Sequence, residues 1–325
     1  MSTVIRAMAR VTLVFCLMAN SADAADRVVL VSWDGVRRDV LHELIEWQPF
    51  DAAVPEPCPS ANRQPERPVR CGQWLTCMPN LCRFQIVDSS DVEGKPLTKP
   101  QHAQMLTGYG PRETGDITNA GTVAVPAGMT IYERLAEARP EVVTVHLGGL
   151  KYIGRSVIGN ALDSGALGLS LKRGSYDHPR FTGANTTERV PQGLEFINNS
   201  TSFFYFIHYK TADVVAHNAS DRSDSYREAI IANDTQLGRL LDLFDDFGVL
   251  DGTKVFVTTD HGFDGNSHVN LQNITVAQTW LASRDFDLMD GPATLLDVTP
   301  TVLDAFGIDA AQFTPAYRGH SRLRH

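Results

Sequence analysis

The chain has 325 residues, 43% of them hydrophobic and 21% charged, with a formal net charge of −9. That balance suits a globular protein and excludes a multispanning membrane protein or a disordered chain. The acidic excess, without any basic run, also argues against binding of a nucleic-acid polymer, which needs a basic face.

Arg6 and Arg10 precede an apolar stretch over residues 11–19, followed by the small-residue site Ala22-Asp23-Ala24. This layout predicts a signal peptide over residues 1–24, cut before Ala25, and export to a periplasmic or secreted location. The apolar stretch is too short to span a bilayer, so no transmembrane segment is expected in the mature chain. Cys16 leaves with the leader, and Cys58, Cys71, Cys77 and Cys82 remain. An even number of cysteines clustered in an exported chain predicts two disulfides, with three pairings open. A four-thiolate zinc site is the rival, but the paired C-x2-C knuckles that favour it are missing.

Residues 27–32 (RVVLVS) form a continuous apolar run of strand length, as expected of a strand buried on both faces. A helical pattern follows over 38–47. Residues 48–83 are rich in Pro and Cys with little periodicity, which predicts an ordered, disulfide-stapled insertion at about 51–83. Lying between Asp34 and Thr98 in sequence, it is expected to border the substrate entrance. A helix is predicted from near Pro100, another over 129–138, and strands over 142–147 and 202–208. Residues 223–247 carry apolar side chains at helical spacing, with Gly248 as a stop. A strand over 254–259 and a short helix over 300–306 complete the alternation. The expected fold is α/β: a three-layer α/β/α sandwich with a mostly parallel central sheet, in a single domain over residues 25–325.

Ligands of open α/β sheets collect beyond the carboxyl ends of the strands. There this chain places Asp34 after the first strand, Asp213 and His217 after the aromatic strand, and Asp260 and His261 after KVFVTT. Each alone reads as a helix cap or a structural histidine. Together, Asp oxygens and His nitrogens form a good ligand set for one or two divalent ions. Thr98, just ahead of Pro100, has two readings: a helix N-cap, or a nucleophile at a helix N-terminus, where free N–H groups favour an anion.

The chain resembles the alkaline phosphatase superfamily, in particular its nucleotide pyrophosphatase/phosphodiesterase and sulfatase-like branches. Val31-Ser32-Trp33-Asp34-Gly35 resembles the opening strand whose Asp binds metal, and Thr98-Lys99-Pro100-Gln101-His102 the nucleophile segment. Asp213-Val214-Val215-Ala216-His217 is similar to the D-x-x-x-H motif and Thr259-Asp260-His261-Gly262 to the D-H-G motif. Ser267-His268 resembles the last metal-binding histidine, with His320 as a rival, and Asp297 to Leu303 the D-x-x-P-T-x-L helix. The likeness runs in order over residues 27–307.

The resemblance implies two adjacent divalent ions, usually zinc. One would be held by Asp213, His217 and His268, the other by Asp34, Asp260, His261 and Thr98. It implies a phosphoric ester hydrolase acting on a small phosphate ester through a covalent phosphothreonine on Thr98, with Lys99, Gln101 and Lys151 contacting the substrate anion. Lys151-Tyr152-Ile153-Gly154 is similar to a K-W-H-L-G stretch of sulfatases. Two positions depart from the diesterase branch: Gln101 stands where Asn is usual, and Lys99 where Phe is frequent. Threonine cannot form the formylglycine of ordinary sulfatases, which argues against that activity. An alkaline phosphomonoesterase, a phosphotransferase acting on envelope components and a non-enzymatic binding protein are the alternatives.

Overall fold

The computed structural model describes residues 25–52, 55–59, 67–119, 125–148, 181–182, 190–194, 197 and 201–325. The expected leader and Lys151 lie outside the described residues.

Strand β1 (Arg27–Trp33) is buried at every position after Arg27. A strand covered on both faces and both edges must sit inside a sheet. Here β1 pairs in parallel with β8 (Phe203–Tyr209) on one side and β9 (Thr253–Thr258) on the other, with Arg27 opposite Phe203 and Thr253. The other strands are β2 (Gln48–Pro49), β3 (Val69–Cys71), β4 (Trp74–Thr76), β5 (Gln85–Asp91), β6 (Val143–Gly148), β7 (Phe181–Thr182) and β10 (Gln278–Ser283). The main sheet has the order β5-β10-β9-β1-β8-β6-β7. β10 alone runs against its neighbours β9 and β5; the other pairings are parallel.

Alternation along the strands builds the two outer layers. Val29, Val31 and Trp33 of β1, with Tyr205 and Ile207 of β8 and Val257 of β9, pack against Val40, Leu41 and Leu44 of helix Arg38–Ile45 and against Ile230, Leu237 and Phe244 of helix Asp224–Asp246. Val28, Leu30, Phe204, Phe206 and Phe256 face the other way, onto Ala103, Met105 and Leu106 of helix Thr98–Thr107, Ile131 and Leu135 of helix Ile131–Ala138, and Val302 and Leu303 of helix Val298–Ala305. The result is the three-layer α/β/α arrangement. Local signals set the helix starts: Ser223 accepts from Tyr226 N–H, and Thr130 with Glu133 forms a reciprocal capping box. Among the described residues no helix is long and apolar enough to cross a membrane.

The Cys-rich insertion holds a small antiparallel sheet, β2-β4-β3, closed by the disulfides Cys58–Cys77 and Cys71–Cys82. The Cys77 N–H and the Thr76 hydroxyl both donate to the Leu44 carbonyl. The N–H groups of Asn80 and Leu81 both reach the buried Asp234 carboxylate on the 224–246 helix, at 3.2 and 2.7 Å. The insertion is thus hung on the outer helices of one layer.

Candidate active site

The central strands end flush, with Trp33 opposite Tyr209 and Ser32 opposite Thr258. The residues that follow therefore meet at one rim. Asp34 N–H donates to the Tyr209 carbonyl (2.8 Å), and the Asp34 carbonyl accepts from Asp213 N–H (3.1 Å). That second bond docks helix Thr211–Ala219, whose i, i+4 spacing puts Asp213 and His217 on one face. Beyond β9, Asp260 Oδ1 accepts the N–H groups of Gly35 and His261, both at 3.0 Å, which ties the bend to β1. His268 follows a turn pinned to the same helix: Asn266 Nδ2 donates to the carbonyls of Ala216 and His217 (3.2 Å each). Asp221 Oδ1 accepts from Gly265 N–H (3.0 Å) and its other oxygen pairs with Arg37.

These constraints assemble two ligand groups, Asp213/His217/His268 and Asp34/Asp213/His261, each with its ligand atoms within 4.8 Å of one another. Asp260 joins the second through Oδ2, 3.3 Å from His261 Nε2. All are buried except His217, which opens to solvent.

The tautomers follow from the partners, because a carbonyl oxygen can only accept. His268 Nδ1 lies 2.5 Å from the Pro96 carbonyl, His217 Nδ1 3.0 Å from that of Asn266, and His261 Nδ1 3.1 Å from that of Gly262. Each Nδ1 therefore carries the proton and each Nε2 offers a lone pair. Those lone pairs meet one another and carboxylate oxygens: His217 Nε2 is 3.1 Å from His268 Nε2, and both are within 3.6 Å of Asp213 Oδ1. Asp34 Oδ1, Asp213 Oδ1, Asp260 Oδ2 and His261 Nε2 are buried with no hydrogen-bond partner. Orphaned buried acceptors are costly. Such a convergence is satisfied by cations, and the Asp/His donor set fits divalent ions of the zinc type.

The ionisation pattern points the same way. Burial, then the charges of Asp260 and Asp213, push the Asp34 carboxyl well up, while the Thr98 hydroxyl beside it pulls it down. Burial pushes Asp260 up too, but His261 and His102 outweigh it and hold that carboxylate low. Burial and the neighbouring His261 push His268 down to about 4, whereas Asp213 draws His217 up.

Thr98 is fully buried at the first position of its helix; the N-cap is Leu97, and no side chain caps the end. The capping reading of Thr98 is therefore corrected. Every residue of this helix is buried, so its polar side chains need internal partners. Gln101 Nε2 donates to the carbonyls of Glu93 (2.8 Å) and Lys95 (2.7 Å), which makes it a strut of the preceding loop. Lys99 is buried beside Thr98, and burial lowers its ammonium. Its N–H donates to Asn119 Oδ1 (2.9 Å), which brings Asn119 to the helix start, a placement no sequence signal singled out. His102 and His208 were also passed over. His102 lies between Ser32 and Thr98 with Asp260 at 3.4 Å, and His208 contacts Asp34 at 3.0 Å. His268 joins the cluster; His320 is exposed, its N–H bound to Asp297.

Residues 171–320 match the model of the family "Type I phosphodiesterase / nucleotide pyrophosphatase". This stretch contains Asp213, His217, Asp260, His261 and His268. No curated protein matches the chain. Among solved structures, the murine ectonucleotide pyrophosphatase/phosphodiesterase 5 superimposes with a TM-score of 0.58 at 11% identity, covering 87% of this chain and 96% of its own. A putative sulfatase from Bacteroides thetaiotaomicron gives 0.57 at 14% identity, covering 91% and 73%. The lipoteichoic acid synthase LtaP from Listeria monocytogenes gives 0.52 at 12% identity, covering 90% and 74%. The chain shares the fold of these structures, and over residues 171–320 it is similar to the type I phosphodiesterase / nucleotide pyrophosphatase family.

Proposed function

We propose that the protein is an exported two-metal phosphoric ester hydrolase of the phosphodiesterase/nucleotide pyrophosphatase kind, acting through a phosphothreonine on Thr98. The observation that carries this reading is the convergence of unpartnered Asp and His acceptor atoms beside the first residue of a buried helix. Asp213, His217 and His268 would hold one cation, and Asp34, Asp260, His261 and Thr98 the other. When bound, the cations supply charge that lowers the proton affinity of a nearby hydroxyl and offsets the negative charge that develops on phosphoryl oxygens.

Thr98 Oγ attacks phosphorus in line; an Oγ–P bond forms and the P–O bond to the leaving group breaks. Water then cleaves the phosphothreonine and restores Thr98. Lys99, buried next to Thr98, would add positive charge beside the transferred group. The family match favours a diester substrate. The two disulfides fit an oxidising, exported location.

The test joins metal analysis with Thr98→Ala. The wild type is expected to hold about two divalent cations per chain and to lose nitrophenyl-ester hydrolysis with a chelator. Thr98→Ala is expected to keep its fold, since no cap is lost, while turnover drops by several orders of magnitude. Near-native rates in that variant would remove Thr98 as the nucleophile.

A further inference from the structure

One face of the sheet changes character just below the rim. The side of β1 that carries Val28 and Leu30 ends in Ser32, and its neighbour in β8 is His208. His208 is fully buried in a strand that otherwise reads Phe, Phe, Tyr, Phe, Ile and Tyr. An imidazole there costs desolvation that an aromatic ring would not. Its partner accounts for it. His208 Nε2 lies 3.0 Å from Asp34 Oδ2, with both side chains fully buried. A carboxylate only accepts, so Nε2–H donates. The other oxygen, Asp34 Oδ1, has no hydrogen-bond partner and lies 3.6 Å from His261 Nε2.

His102 packs against His208 as a near-perpendicular ring, centroid to centroid 4.6 Å. His102 is pinned at both nitrogens. Nδ1–H donates to the Thr98 carbonyl (2.7 Å), which leaves Nε2 to accept from the Ser32 hydroxyl (2.8 Å). The ring that backs His208 is therefore fixed from β1 and from the first turn of the Thr98 helix.

We propose that His208 is a positioning residue for the metal centre: its Nε2–H holds Asp34 Oδ2, so that Oδ1 alone is turned toward the cation shared with His261. The inference rests on the two-metal reading above. Without the donor, the carboxylate is free to turn about Cβ–Cγ and its buried oxygens lose their fixed assignment. Outer partners of this kind commonly change metal affinity by about 10–100-fold when removed.

The test is titration of Zn²⁺ into metal-free wild type, His208→Phe, His208→Gln and His208→Asn, in competition with a chromophoric chelator. A Gln amide nitrogen reaches about as far as Nε2, whereas that of Asn stops near Nδ1. His208→Phe should weaken one of the two sites by about 10–100-fold and leave the other nearly unchanged. His208→Gln should recover most of the loss and His208→Asn should not. Wild-type affinity in His208→Phe overturns the proposal. Should the Phe variant fail to fold, the two amide variants decide, because equal affinities in Gln and Asn overturn it equally. A wild type that takes up no Zn²⁺ overturns the two-metal reading itself, an outcome visible before any variant is made.

Discussion

Gly35 follows Asp34 with φ +69°, and a Cβ built on it would stand 2.6 Å from Phe263 Cε2 and 3.1 Å from Asp213 Cα. Gly35→Ala therefore carries two costs. The left-handed backbone costs an L-residue about 1–2 kcal/mol. Forcing a methyl into a packed core costs about 1–3 kcal/mol more. The sum, about 2–5 kcal/mol, corresponds to a drop in Tm of roughly 4–10 °C for a chain of this size. Gly252→Ala separates the two parts, since Gly252 has φ +75° with nothing within 4 Å of its Cβ position; it should lose only the backbone share. The excess at Gly35 also has a functional side. The Phe263 ring lies 5.0 Å from the His217 ring and 4.9 Å from that of His268, so a displaced Phe263 disturbs the ligand pair. Denaturant unfolding of both variants, with Zn²⁺ titration of Gly35→Ala, measures both effects. If Gly35→Ala proves no more destabilising than Gly252→Ala, the close approach to Phe263 is refuted as a source of strain.

Burial raises Asp234 to about 6 against the pull of its hydrogen bonds from Leu81 and Asn80. A folded-state value above the unfolded one gives stability that is full below about pH 4 and is lost as pH rises through about 6. The stability of wild type relative to Asp234→Asn, measured in urea, should therefore fall by about 2 kcal/mol between pH 4 and 7; a difference that is flat with pH contradicts the burial argument. For Lys99→Met, loss of the buried charge beside Thr98 should lower kcat/KM for a dianionic nitrophenyl monoester about tenfold more than for a monoanionic diester, an energy of about 1.4 kcal/mol. Equal losses on the two substrates take Lys99 out of substrate discrimination.

The buried parallel core was legible because uninterrupted apolar runs have few alternatives: RVVLVS, SFFYFIH and KVFVTT correspond to β1, β8 and β9 within a residue or two at each end. β5 and β10 escaped notice. β5 reads QIVDSSD, where polar residues outnumber apolar ones, and its pairing partner β10 lies nearly 200 residues away. Asp213 and His217 were readable because their spacing is one helical turn. His208 was not, since a histidine within an aromatic strand reads as packing until its partner across the sheet is seen. Gln101 and Thr98 show the converse. The family resemblance implied a substrate contact for Gln101, and the residues alone left Thr98 open as a cap. Only the three-dimensional positions of the Glu93 and Lys95 carbonyls show where the Gln101 Nε2 donors go, and only that of Leu97 shows which residue is the N-cap.

The strand order has a consequence for biosynthesis. β1 emerges first, yet its two neighbours begin at Phe203 and Thr253. For the time needed to make more than half of the chain, a segment rich in valine has no native partner for its N–H and C=O groups on either edge. Contacts this distant in sequence slow folding, and unpaired apolar strands are what drive intermolecular association. The small staple Cys71–Cys82, in contrast, closes over a separation of 11 residues. Local closure of this kind does not wait for distant segments, whereas holding β1 apart from other copies until β8 arrives is a task for the cell's folding machinery.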